Sequence, residues 1–89
     1  MKRPSNIPLN SKFLEGTGES AWFHIEPKGS ENSYKITRYD VLGDAECQYT
    51  AVPDNDEFTF EDSFEISYVS HCMKCTVIQN GKKFIFTKI

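Results

Sequence analysis

The sequence predicts an all-β fold: an antiparallel meander of six to seven short strands, curled into a small closed or partly open barrel. Three observations lead there. Apolar and polar residues alternate with a period of two through most of the chain after Ala21. Turn-forming residues interrupt the alternation at a spacing of roughly 8 to 12 residues. No segment longer than a turn carries the 3.6-residue period of an amphipathic helix. At 89 residues the chain suits one domain, and its seven Phe and four Tyr supply a core that disordered chains lack.

Residues 1–19 hold Pro4, Pro8, Gly16 and Gly18 among small polar residues. They read as a loosely ordered N-terminal arm, anchored by Phe13-Leu14 and ending in the turn Glu15-Gly16-Thr17-Gly18. Residues 20–89 are then the single β-domain. Its first strand is Ala21-Trp22-Phe23-His24-Ile25-Glu26, closed by Pro27 and Gly29. Tyr34 to Asp40 is the second, with a slip in alternation near Arg38 of the kind a β-bulge makes. After the turn Leu42-Gly43-Asp44, the residues Ala45, Cys47, Tyr49 and Ala51 alternate with Glu46, Gln48 and Thr50. Pro53-Asp54-Asn55-Asp56 turns the chain again, and Phe58-Thr59-Phe60 reads as a short fourth strand.

The last third is the clearest. Phe64, Ile66, Tyr68 and Ser70 alternate with Glu65, Ser67, Val69 and His71. Asn80-Gly81 is a strong hairpin signal, because both residues tolerate the positive φ of a type I′ turn. A two-residue loop there sets Val77 opposite Phe84 and Cys75 opposite Phe86, all on one apolar face. A tight turn at Met73-Lys74 would likewise pair Ser70 with Val77 and Cys72 with Cys75. Closing into a barrel hides the sheet edges most simply. An open sheet packed on the N-terminal arm is the alternative.

Composition excludes more functions than it suggests. A net charge of −3 argues against a phosphate-backbone binder, so no nucleic-acid partner is expected. No apolar run reaches the length of about 20 residues that spans a bilayer. The basic start Met1-Lys2-Arg3 lacks the apolar segment of a signal peptide, and three cysteines, an odd number, suit a reducing compartment. These features lead to the expectation of a cytoplasmic protein without membrane contact, monomeric, with no cofactor.

Cys72-Met73-Lys74-Cys75 is the most suggestive motif. Two thiolates at the tip of a hairpin can bind Zn²⁺, which then needs two more ligands, with Cys47 and His71 the nearest candidates by type. A redox reading lacks the helix N-terminus that lowers thiol pKa in reactive Cys-x-x-Cys pairs. The simpler expectation is that Cys47, Cys72 and Cys75 are small core hydrophobes. Asp54-Asn55-Asp56 with Asp62 and Glu65 has residue types of a calcium loop, but Thr59 stands where that loop needs Gly, so an acidic turn is expected. His24 and His71 are the only histidines, and neither lies in a catalytic signature. The chain is therefore read as non-enzymatic. Trp22, His24, Arg38 and Tyr39 could gather on the outer surface of the first two strands as a binding patch. Equally, Trp22 could be core, with the parity of its strand reversed.

With Ala21-Trp22-Phe23, Tyr34 to Tyr39 and Tyr68 to Cys75 in view, the chain resembles a group of small uncharacterised bacterial all-β proteins over residues 18–89. That resemblance implies a stand-alone β-domain with no assigned activity. At fold level the sequence is also similar to calycin-like barrels, which carry Gly-x-Trp, although here three residues separate Gly18 from Trp22. The reading that emerges is a binding or interaction domain acting through its sheet surface or barrel mouth on a protein or small-molecule partner. The alternative is a metal-binding or redox-responsive protein built on the Cys72/Cys75 hairpin.

Overall fold

Alternation puts each run's apolar side chains on one face, and pairing the runs antiparallel satisfies their backbone groups. The computed structural model describes residues 2–16, 19–29, 32–61, 63–70 and 72–89, without the side chains of Glu19, Tyr68, Val69 and Ser70. Its strands are β1 (Lys12–Gly16), β2 (Glu19–Pro27), β3 (Tyr34–Tyr39), β4 (Ala45–Pro53), β5 (Phe64–Ser70), β6 (Lys74–Gln79) and β7 (Lys82–Lys88). They form one sheet in the order β1-β2-β3-β4-β7-β6-β5. Two meanders, β1 to β4 and β5 to β7, are thus joined along β4 and β7. The sheet curls until its edge strands β1 and β5 touch, and the Lys12 ammonium lies 5.0 Å from the centre of the Phe64 ring across that seam. The barrel is nearly closed.

The inner face carries the core. Ala21, Phe23 and Ile25 of β2 meet Tyr34 and Ile36 of β3, Tyr49 and Ala51 of β4, Cys75 and Val77 of β6, and Phe86 of β7. Phe23, Phe86, Ile25 and Ile36 are wholly buried, each contributing about 1.5–3 kcal/mol through removal from water. The C-terminal hairpin has the expected register, with Val77 opposite Phe84 and Cys75 opposite Phe86. Asn80 (φ 54°) and Gly81 (φ 77°) supply its left-handed turn. The expected bulge is also there: Arg38 faces Cys47 and Tyr39 faces Ala45, leaving Glu46 as the extra residue.

Three local expectations give way. Lys12–Gly16, read as part of a loose arm, is the edge strand β1, paired from Lys12↔Phe23 to Gly16↔Glu19. It is short and follows a polar, proline-containing segment, so its pattern alone is weak; the exposed edge of β2 is what recruits it. Phe58-Thr59-Phe60, read as a strand, is not one. Phe58 instead turns inward against Tyr34, Phe84 and Phe86, with ring centroids 5.5, 4.7 and 5.1 Å away. Gln79 fixes this segment, donating from Nε2 to Thr59 O at 2.7 Å and accepting from Glu61 N at 2.9 Å. The alternation of Phe58 and Phe60 reflects packing of a plug, not pairing.

The β5–β6 connection also differs. Ser70 faces Lys74 and Val69 faces Cys75, so the chain reverses between Ser70 and Lys74 and not at Met73-Lys74. Ser67 is skipped between Ile66↔Val77 and Tyr68↔Thr76, and Cys72 adopts a left-handed φ of 55°. The pairings of Ser70 with Val77 and of Cys72 with Cys75 are therefore not formed.

Candidate functional site

Pairing partners point the same way, so the registers sort the expected binding residues by face. Trp22 is opposite Tyr39, and His24 is opposite Thr37, all on the outer face of the sheet. Arg38 is opposite Phe23 and Cys47, on the inner face, where its guanidinium lies 5.4 Å from the centre of the Phe23 ring. It also pairs with Glu46. The four residues therefore do not form one patch: a strand alternates faces, and Arg38 and Tyr39 are adjacent in sequence.

Trp22 answers neither of the two expectations alone. It sits on the outer face, outside the core cluster, and is nevertheless only 6% exposed. Phe13 of β1 packs on it with ring centroids 5.2 Å apart. The segment before β1 completes the cover. Asn6 donates from Nδ2 to Gly43 O at 2.6 Å, beside the end of β3, and the chain then runs back to Lys12 beside β2. A side chain at Gly43 (φ 96°) would collide with Asn6 and Pro4, which fixes that contact. Ile7 and Ser11 become buried along this path. The outer aromatic face is a second, small cluster and not an open platform for a ligand. Among the described residues, the buried Trp22 Nε1, His24 Nδ1 and Ser11 Oγ find no hydrogen-bond partner there. His24 Nε2 lies 3.7 Å from Glu26.

Cys75 is the buried core residue that was expected, and Cys47 and Cys72 pack against the core, but the bond between those two was not foreseen. Cys47 of β4 and Cys72 at the β5–β6 tip form a disulfide, with Cα atoms 6.6 Å apart, and Cys75 is a free, fully buried thiol. Burial pushes the Cys75 thiol up to about 12. The set Cys47, Cys72, Cys75 and His71 does not assemble as a zinc site: two of its sulfurs are bonded to each other, and His71 lies outside the described residues. No cluster of three or more metal-ligating residues occurs among the described residues. Of the calcium-type residues, Asp54 Oδ1 accepts from Ile85 N across to β7, and Asn55 Oδ1 accepts from Glu57 N within its turn. Asp62 lies outside the described residues.

The disulfide's position follows from the topology. β7 runs alongside only Ala51, Val52 and Pro53 of β4, so the first half of β4 extends past it. The β5–β6 tip reaches the same level, and Cys47–Cys72 joins the two. Tyr49, next inward from Cys47 on the same face, is buried with its hydroxyl unpartnered among the described residues. Its pKa is raised by burial and then by the nearby Cys75, with Arg38 opposing.

Exposed apolar side chains collect around this end. Val41 and Leu42 are in the β3–β4 turn, Met73 is at the β5–β6 tip beside Cys72, and Leu9 follows the Asn6 tie to Gly43. Leu42 is 78% exposed and Met73 57%. Sequence reasoning missed this group, because each residue lies in a different turn and only the fold brings the turns to one end. At the opposite end two shallow depressions flank Asn80 and Gly81, one lined by Ser63, Phe64, Glu65 and Ile78, the other by Glu57, Phe58, Glu61 and Phe84. No helix is long and apolar enough to cross a membrane among the described residues.

Compared with known proteins, residues 11–89 match the family model of the DUF6695 C-terminal domain, and the chain belongs to that family. The segment carrying Asn6 and Ile7 precedes the matched span. No curated protein and no solved structure matches, and neither comparison supports the expected similarity to calycin-like barrels.

Proposed function

We propose that this DUF6695 C-terminal domain is a non-enzymatic interaction module that binds a protein partner through the disulfide-bearing end of its barrel. One observation carries the reading: Leu42 and Met73, from separate turns, stand exposed at an end whose two halves a covalent bond holds together. Large exposed apolar side chains gathered in one region mark interaction surfaces more often than they mark chance. The two described depressions at the opposite end are open to solvent, and a protein surface suits an open apolar end better than an enclosed small molecule does. The Cys47–Cys72 bond supports an oxidising setting over the cytoplasmic one that the odd cysteine count suggested.

A phage-displayed peptide library selected against the oxidised chain tests this. Recovered peptides should lose at least tenfold in affinity against the double variant Leu42→Ser, Met73→Ser, while its melting temperature stays near that of the parent. Peptides that bind the variant unchanged, or a library that yields none, would refute the assignment of this surface.

A further inference from the structure

We propose that the Cys47–Cys72 disulfide is a thiol-operated clamp: it holds the apolar end of the barrel in its binding form, and reduction releases it. The inference rests on the reading of that end as the binding surface and adds its control.

The hydrogen-bonded sheet contains no pairing of β4 with β5 or β6. The paired register of β7 with β4 ends at Ala51, with one further bond from Ile89 N to Thr50 O. The tip of the β5–β6 hairpin, which also accepts from Lys88 N at Met73 O, is joined to the first half of β4 by a covalent bond between side chains. Cys47 is at the start of β4, directly after the turn that presents Leu42. Cys72 is the neighbour of Met73. The bond therefore couples the two turns that carry the exposed apolar groups, and it is the direct link between them, since β4 pairs with neither β5 nor β6. Cys72 has φ 55°, a left-handed conformation that belongs to the hairpin turn as Asn80's does to the next one.

The chemistry balances with a dithiol as reductant. One thiolate attacks a sulfur of the protein disulfide, forming a mixed disulfide and releasing the other cysteine, which takes up a proton. The reagent's second thiol then displaces the remaining cysteine. The protein gains two protons and two electrons as two thiols, and the reagent becomes a cyclic disulfide. Cys75 does not intervene. It is wholly buried, and its thiol is held protonated at neutral pH, so it does not supply the thiolate that would shift the bond to Cys72–Cys75. The clamp has two defined states.

Amide hydrogen exchange on the whole chain, with and without dithiothreitol, tests the clamp without any partner. Reduction, verified by the appearance of two additional thiols, should raise exchange at least tenfold over residues 40–49 and 72–75. Residues 34–37 and 82–86 should remain protected. The double variant Cys47→Ser, Cys72→Ser should match the reduced chain and ignore the reagent. A peptide selected against the oxidised chain should bind the reduced chain at least tenfold more weakly. Unchanged exchange at the two turns would overturn the clamp, as would uniform loss of protection, which would make the bond a support of the entire fold. If the exchange changes as expected but peptide binding ignores Leu42→Ser, Met73→Ser, the binding surface fails and the clamp stands.

Discussion

The two ends of this barrel are closed by different physics. At the end bearing the Asn80-Gly81 turn, Phe58 enters as a plug and makes edge-to-face contacts with Tyr34, Phe84 and Phe86, with Phe60 stacked at a tilt between Tyr34 and Phe64. Such pairs add about 0.5–1.5 kcal/mol beyond area burial, and Gln79 satisfies the backbone of the plug. At the other end packing thins out, because β7 stops and polar groups such as Arg38, Glu46 and the Tyr49 hydroxyl enter the inner face. There a disulfide does what aromatic rings do elsewhere. A dispersion-packed end is insensitive to thiols, whereas a covalent one answers to them and is free to expose apolar groups.

The contrast is broken most strongly at the aromatic end. Phe86→Ala removes a fully buried ring that touches both Tyr34 and Phe58, and should cost about 3–5 kcal/mol in urea denaturation. Phe84→Ala, from the half-buried partner of Val77, should cost less than Phe86→Ala. Equal losses would mean that the half-buried ring supports the plug as strongly as the fully buried one.

Reducing the disulfide comes next. It closes a loop with a sequence separation of 25, for which loop-closure entropy predicts about 3.5 kcal/mol, read as a lower urea midpoint with dithiothreitol than without. The aromatic variants should lose nearly the same stability with the bond intact or reduced, since no ring of the plug is among the residues that the bond joins.

A finer probe is pH. The Cys75 thiol rises from its ordinary 9.0 to about 12 through burial, so the folded chain keeps a proton that the unfolded chain releases. Stability contributed by this group is fully present below pH 9.0 and is lost as pH rises toward about 12. Tyr49, raised in the same direction, adds to the fall above its ordinary 10.0. Urea midpoints between pH 8 and about 10.5 should decline, and the decline should be shallower in Cys75→Ala; a parallel decline would deny Cys75 the role.

The smallest effect belongs to Glu46→Gln. Glu46 is 42% exposed at its side chain, so losing its pair with Arg38 should cost at most about 1 kcal/mol, less at high salt.

What was legible in the sequence was local. The Asn80-Gly81 turn sets its own register through backbone conformation, and the bulge beside Arg38 shows as a slip in alternation, so both could be read within a few residues. The edge strand Lys12–Gly16 and the plug at Phe58 could not, because each takes its state from a neighbour distant in the chain: an exposed edge in one case, an aromatic end in the other. The candidate patch failed for a simpler reason, the opposite facing of Arg38 and Tyr39 once Trp22 was placed.

The sequence by itself determined an all-β domain, its alternating core face and its C-terminal hairpin, since period-two patterning and turn chemistry act over one strand or two. Only the tertiary structure decided which cysteines pair. A Cys-x-x-Cys spacing draws attention to Cys72 and Cys75, but Cys75 points into the core, and Cys72 lies where β7 ends and β4 continues. Bond formation depends on distance in space, and for residues 25 apart in sequence that distance is set by how the two meanders are joined.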